Sequence, residues 1–318
     1  MRKQAEALFS DVAERDRFVR ALMEPSSREQ AIVVMRDDPG LADIPTLPRL
    51  KWQPNFVRRV PDTFRPGRHP LHDSGAYYVL DFSSVFAASP LTLIDPTPGF
   101  RVLDLCAAPG GKSIFAYRAL HPEMLVANET IRKRTGALIE NLGRCGVEGS
   151  SVWSADPSVW SDRFPEAFDL VIVDAPCTGQ SLLAKGQDAQ GCFSPQMIDM
   201  NVGRQRRICG NAARCVRPGG WMLYSTCTFS RKENEKVIEW LVGQAPLFEP
   251  VTVPFLEEFR SKHSALPCYR LFPQQGLGAG AFTCLLRHRG EPPEHRSAIE
   301  VPASWRFGGE PTEFPWGA

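Results

Sequence analysis

The sequence predicts an α/β protein: a parallel β-sheet covered by helices on both faces, with a smaller helical and irregular subdomain at the N-terminus. Three observations lead there. After Pro98, short apolar runs alternate with segments of helical period. Those segments have crossover length, which consecutive parallel strands require. The 318 residues are 43% hydrophobic and 23% charged, ordinary values for a chain that buries one large core and a smaller one.

In chain order, Leu8, Phe9, Val12, Phe18, Val19 and Leu22 recur at helical spacing. Pro25-Ser26-Ser27 breaks that pattern, and Ser27 with Gln30 reads as a capping box for a second helix through Met35. Six prolines between Pro45 and Pro70 predict an extended connector or irregular layer. Strands are then predicted at Val102–Leu105, Met124–Ala127, Ser151–Trp153, Leu170–Val173, Trp221–Tyr224 and Phe282–Leu286. The tail after His288, rich in Pro, Gly and Glu, reads as a loosely packed extension.

Lys+Arg 37 against Asp+Glu 36 gives a net charge of +1, which excludes nucleic-acid binding by bulk positive charge. No apolar run approaches the ~20 residues that span a bilayer. The charged, amphipathic N-terminus lacks the apolar stretch of a secretory signal, so a cytoplasmic location is expected. The nine cysteines are odd in number and sit mostly in apolar patterns such as VLDLC and FTCLL, which favours reduced thiols. No CxxC pair is present, and no metal site is expected.

In parallel sheets ligands bind at the carboxyl ends of the strands, so the residues there carry the chemistry. The first strand runs into VLDLCAAPGGKS. A P-loop is excluded because Cys106 stands five positions before Gly111, where that loop needs glycine; GxGxxG fails because Ala108 stands two before Gly110. What remains is a small-residue turn, Ala107-Ala108-Pro109-Gly110-Gly111, which lets a ligand approach the backbone. A plain strand-to-helix turn is the alternative. The second strand ends at Glu129, about 25 residues beyond Asp104, near the offset at which an acid meets a ribose diol. The third ends at Asp156, which could accept from an adenine amino group. Together these suit a nucleoside without a polyphosphate. The fourth strand ends in DLVIVDAPCTG, placing Asp174 at the sheet edge and Cys177 in the next turn, and the fifth runs into YSTCTFSRKENE with Cys227. Two strand-end thiols beside an acid face the same crevice. A thiol of pKa ~8.5 becomes a nucleophile once nearby dipoles or cations lower that value.

CAAPGGK, DAPCTG and STCT, in this order, resemble the signature of the Sun-type (nucleolar-protein/Sun) RNA cytosine-5 methyltransferases. The likeness runs from about His69 to Arg289, with HPLHDSGAYYVLDFSS and RLFPQQGLGAGAF similar to the family's flanking segments. It implies a Rossmann-like S-adenosylmethionine-dependent methyltransferase sheet at 96–290, an RNA-contacting subdomain at 1–95 and an extension at 291–318. On this resemblance Cys106, Ala107, Ala108, Pro109, Gly110, Gly111 and Lys112 hold the methionine and ribose of S-adenosylmethionine. Glu129 takes the ribose hydroxyls with Arg134 nearby, and Asp156 lies by the adenine. Cys227 is the nucleophile, Cys177 assists release of the adduct, and Asp174 contacts the cytosine at the edge of the cofactor site. The substrate is RNA, ribosomal in preference to transfer RNA, with no membrane partner and a monomeric enzyme. Two departures fall on the substrate side. Asp81-Phe82-Ser83-Ser84 stands where the family more often has glutamine, an acid and proline before two serines, and GQSLLAKGQDAQGCF is less basic than in many members.

The residue types suit this chemistry. Carbon 5 of cytosine becomes nucleophilic only once a thiolate has added to carbon 6, and an acid at the ring nitrogen would assist. The base must be unpaired or flipped out to reach such a pocket. Two basic stretches offset the neutral total: Lys51, Arg58, Arg59, Arg65 and Arg68, and then Arg204, Arg206, Arg207, Arg214 and Arg217 with no acid between Asn201 and Pro218. Arg204, Arg207 and Arg214 share a helical face, which makes phosphate contact an expectation against a merely solvated face. Trp52, Phe56 and Tyr77 could stack on bases, although core packing accounts for each singly. A DNA cytosine-5 methyltransferase would keep its nucleophile in the proline-cysteine turn and leave the STCT cysteine unexplained. A catalytically silent RNA-binding factor would not need both cysteines, and a structural α/β domain would need none of the three motifs.

Overall fold

The computed structural model describes residues 1–24, 29–292 and 299. Helices α1 (Arg2–Leu8) and α2 (Val12–Met23) form where the apolar spacing predicts them, and the Asp11 side chain caps α2 by accepting from the Ala13 N–H. The helix expected through Met35 is instead a strand, β1 (Gln30–Val34). The β-branched run Ile32-Val33-Val34 fits a pleat better than a helical turn. Ser27, its expected cap, lies outside the described residues. β1 is the centre of an antiparallel three-stranded sheet, between β2 (Val57–Val60) and β3 (Tyr77–Asp81). The proline-rich stretch before Pro70 is otherwise irregular, and α3 (Pro70–Asp73) is a single turn.

The N-terminal subdomain is therefore part sheet, and it shares a core with the larger parallel sheet. Helix α4 (Phe82–Ala88) is buried between two layers through Phe82, Val85, Phe86, Ala87 and Ala88, with Ser83 and Ser84 toward the cavity. Trp52 stacks on Phe82 at 4.8 Å between ring centres. One continuous apolar cluster runs from Ala31 and Val33 through Trp52 and Phe82 to Val102, Leu125 and Leu285.

The main sheet has the order β10-β11-β8-β7-β4-β5-β6, with β9 against β11. Its parallel part is β4 (Arg101–Asp104), β5 (Met124–Asn128), β6 (Ser150–Trp153), β7 (Phe168–Asp174) and β8 (Val216–Thr226). The crossovers are α5 (Gly111–Leu120), α6 (Thr135–Arg144), α7 (Pro157–Arg163) and the long α8 (Pro195–Cys215). After β8 come α9 (Glu235–Gln244), then β9 (Phe248–Pro250), β10 (Tyr269–Leu271) and β11 (Ala281–His288), which pair antiparallel. All six predicted strands are present, and β1, β2, β3, β9 and β10 are additional. The strand order switches at β4, with β5 and β6 added on one side and β7 and β8 on the other, so the ends of β4, β5, β7 and β8 open onto one crevice. A buried Asp169, paired with Arg217 and accepting the Arg101 N–H at 2.8 Å, ties the opposite ends of β4, β7 and β8 together. The C-terminal extension expected at 291–318 lies almost wholly outside the described residues. No helix among the described residues is long and apolar enough to cross a membrane.

Candidate active site

A cavity of about 670 Å³ opens at those strand ends, lined by Lys112, Glu129, Asp174, Cys177, Lys185 and Cys227 among others. That is the size of a nucleoside-class ligand with room for a base.

The turn Cys106–Lys112 forms its wall. Gly110 sits at φ +114°, where any other residue is strained, and a Cβ there would meet Leu138 at 3.2 Å. The turn is fixed from outside by Arg134, donating to the Ala108 carbonyl at 2.7 Å, and Asn141, donating to that of Pro109 at 2.9 Å. From beneath, the fully buried Asp104 accepts from the Cys106 N–H at 3.2 Å and from the Ser113 hydroxyl at 2.7 Å. Burial pushes the Asp104 carboxyl up to about 7, against those two hydrogen bonds and with the help of the nearby Asp174 charge. Burial likewise raises the Cys106 thiol, which is a packing group and no nucleophile.

Glu129 is 4% exposed, and its Oε1 accepts from the Ile131 N–H at 2.9 Å. Its Oε2 lies 3.0 Å from Arg134 but has no hydrogen-bond donor aimed at it. A buried acceptor left open toward a cavity is a site for a ligand hydroxyl. Asp156 caps α7 by accepting from Ser158, and Arg207 of α8 donates to both its oxygens at 2.8 and 2.9 Å. Burial raises this carboxyl, but the Arg207 and Ser158 bonds outweigh it and hold the group below its usual range. Asp156 thus already has a cationic partner, and Arg207, not Asp156, lines the cavity.

The reacting groups converge on the far side. Asp174, at the end of β7, pairs with Lys112 at 2.6 Å through Oδ2 and accepts from Ser225 at 2.8 Å through Oδ1. The Cys177 and Cys227 sulfurs are 3.3 Å apart, although 50 residues separate them in the chain. The hydrogen bond from Cys177 lowers the Cys227 thiol, with help from Lys112 and Lys185 and against burial and Asp174. The same contact raises Cys177, reinforced by burial and the charges of Cys227 and Glu233. Cys227 therefore loses its proton first, and Cys177 keeps its own. All nine cysteines are free thiols, and no cluster among the described residues could hold a metal.

Of the sequence-predicted site residues, Cys106, Ala108, Pro109, Lys112, Glu129, Arg134, Asp174, Cys177 and Cys227 line this crevice; Ala107, Gly110 and Gly111 belong to the turn behind its wall, and Asp156 stands outside it behind Arg207. The structure corrects the basic stretches. Arg207 is paired with Asp156, Arg214 with Asp162 at 3.2 Å and Arg217 with Asp169, while Arg206 covers the Trp240 ring. The acids come from α7 and β7, out of sight of a local charge count. Arg204 lines the cavity and makes no ion pair among the described residues. In the earlier stretch Arg59 pairs with Glu29 and Arg58 donates to the Leu41 carbonyl. Trp52 and Tyr77 are core residues, and Phe56 packs against Phe115. Sequence reasoning missed Lys185, which reaches Asp81 at 3.4 Å, and the buried Glu233 behind the thiols. Glu233 stands in RKENE, shortly after the STCT turn, but its partners Thr178 and Gln205 are distant in sequence.

A doubly wound sheet with a nucleoside-sized crevice at its switch point defines a Rossmann-like methyltransferase fold. The chain belongs to the 16S rRNA methyltransferase RsmB/F family, which it matches over residues 91–287. It is 34% identical over 237 residues to the ribosomal RNA small subunit methyltransferase F of Klebsiella pneumoniae, covering 73% of this chain and 49% of that protein. It is 35% identical over 244 residues to the same-named protein of Pectobacterium atrosepticum, covering 74% and 50%. The chain spans about half the length of these relatives. In fold it resembles NSun6 from Pyrococcus horikoshii, with a TM-score of 0.74 at 17% identity over 91% of this chain and 98% of that one. A methyltransferase homologue from the same organism gives 0.72 at 21% identity over 90% and 93%.

Proposed function

We propose that this chain methylates carbon 5 of a cytosine in RNA, from S-adenosylmethionine, through a covalent cysteine adduct. The observation that carries this is the pair of thiols 3.3 Å apart, the more acidic one beside Lys112 and Asp174, in the same cavity as the glycine turn and Glu129. The open Glu129 oxygen and the Cβ-free Gly110 fit the ribose and methionine portions of the donor. Small-subunit ribosomal RNA is the favoured substrate, since the relatives carry that name; transfer RNA is the alternative.

Bound S-adenosylmethionine supplies an electrophilic methyl group. The Cys227 thiolate adds to carbon 6 of the base, placing electron density on carbon 5. Asp174, which lines the same crevice and is held there by Lys112 and Ser225, is the carboxylate proposed to contact the base. After methylation the carbon-5 proton passes to solvent, its electron pair re-forms the bond between carbons 5 and 6 as a double bond, and the bond between sulfur and carbon 6 breaks, expelling Cys227 as thiolate. The Cys177 hydrogen bond that stabilises the free thiolate also makes it the better leaving group. The contact between the two sulfurs supports attack by Cys227 and release assisted by Cys177.

The test is transfer of labelled methyl to RNA lacking 5-methylcytosine. Wild type labels cytosine, and Cys227→Ala does not. Cys177→Ala accumulates a protein–RNA adduct that disappears in the double variant. Absence of labelled cytosine with wild type sinks the reading.

A further inference from the structure

Three consecutive polar residues, Glu233, Asn234 and Glu235, are each 0% exposed. Such burial is costly unless each group is satisfied, and here each has its own set of partners. Asn234 accepts from Thr226 at 2.6 Å and donates to the Thr228 carbonyl at 2.8 Å, bracketing Cys227 within its own turn. Glu235 pairs with Arg270, which donates to the Phe229 carbonyl at 3.1 Å. Glu233 reaches elsewhere: its Oε1 accepts from the Thr178 N–H at 2.8 Å and from Gln205 at 3.1 Å, and its Oε2 from the Thr178 hydroxyl at 2.7 Å and Thr228 at 3.3 Å. Gln205 also donates to the Pro176 carbonyl at 2.9 Å. The residues on both sides of Cys177 are thus held, directly or through Gln205, by one carboxylate anchored beside the Cys227 turn.

We propose that Glu233 is a positioning residue that clamps the Cys177 turn against the Cys227 turn, setting the contact between the two thiols on which release of the methylated base depends. It rests on the cysteine chemistry above. Burial raises this carboxyl, and the donors from Thr178, Gln205 and Thr228 work against that and favour its anion. Its charge also acts on Cys177, with the Cys227 sulfur, and helps keep that thiol protonated. The other groups facing the pair are Asp174, Lys112 and Lys185 on the cavity side and Tyr224 beneath, whose hydroxyl donates to the Glu233 carbonyl at 2.6 Å. The two turns also touch directly, Thr178 meeting the Thr228 hydroxyl at 2.9 Å and the Ser181 N–H donating to the Cys227 carbonyl at 3.0 Å, but among the groups facing the thiols Glu233 is the charged one that reaches both turns.

The variants are Glu233→Gln, which keeps the shape and removes the charge, and Thr178→Val, which loosens the clamp and keeps the charge. A misplacement of about an ångström at a reacting group lowers turnover by up to ~100-fold. Both variants should lose about tenfold or more in kcat with KM for RNA within about twofold, and should accumulate an adduct that requires Cys227. Turnover at the wild-type level without adduct overturns the proposal. So does a fall in kcat without adduct, which is what a merely loosened fold produces. A second readout needs no RNA: pH-dependent iodoacetamide alkylation of the full chain, with the Cys177 peptide quantified by mass spectrometry. Removing a neighbouring negative charge lowers a thiol's pKa, so Cys177 in Glu233→Gln should alkylate at lower pH than in wild type. If that shift is seen but wild type never methylates RNA, the reaction assignment fails and the clamp stands. If wild type methylates and the alkylation profile does not move, the clamp fails.

Discussion

Replacing Asp104 by asparagine should stabilise the protein above neutral pH. The carboxyl has no exposure and is pushed from its ordinary 3.8 to about 7, chiefly by burial. A folded-state pKa above the unfolded one means that the fold prefers the protonated acid. Its penalty is nearly absent below pH 4 and grows as pH rises towards the folded value, levelling off above it. Each pKa unit is worth ~1.36 kcal/mol, so the full penalty is about 4 kcal/mol, of which about 2–3 kcal/mol develops between pH 5 and pH 8. The amide of Asp104→Asn can still accept from the Cys106 N–H, and Ser113 can reverse its hydroxyl to accept from it. The assay is denaturant unfolding of both proteins at pH 5, 6, 7 and 8, taking the difference at each pH so that other titrating groups cancel. The variant should gain on the wild type by about 2–3 kcal/mol across that range. Parallel stability curves would refute the reasoning, because they would mean that Asp104 is ionised in the fold at no cost.

Four further outcomes are expected. Gly110→Ala forces a side chain into φ +114° and should cost about 1–3 kcal/mol of stability, and calorimetric titration should show weakened S-adenosylmethionine binding. Arg204→Ala should weaken RNA binding and reduce its salt slope by about one, with donor affinity unchanged. Arg207→Ala should lower both affinities, because it also strips Asp156 of its partner; equal behaviour of the two arginine variants in a pair of filter-binding and calorimetric assays would contradict this. Phe82→Ala removes a fully buried ring under Trp52 and should cost about 3–5 kcal/mol in equilibrium unfolding.

What could be read from the sequence was what lies close together along it. The strands of the parallel sheet carry their reactive residues at the last position or within three residues beyond it, so Asp174, Cys177 and Cys227 could be found from local pattern alone. The N-terminal sheet could not: β1 pairs with β2 and β3 across long irregular segments, and no tight turn marks the pairing. The arginines of α8 looked unopposed because Asp156 and Asp162 approach from α7. Glu233 was invisible for the same reason, since Thr178 lies 55 residues earlier. In each case the missing term was a partner brought close by topology, and burial then decided what the side chain does.

The apolar cluster joining the N-terminal sheet to the parallel sheet has a consequence for how the molecule comes apart. Trp52, Phe82 and Phe86 belong to both layers, so neither layer keeps a closed surface when the other opens. Unfolding should then be a single cooperative event across residues 30 to 288, with matching transitions reported by fluorescence and by circular dichroism. Damage to the small layer would thus be felt at the thiols, because the two rise and fall as one thermodynamic unit.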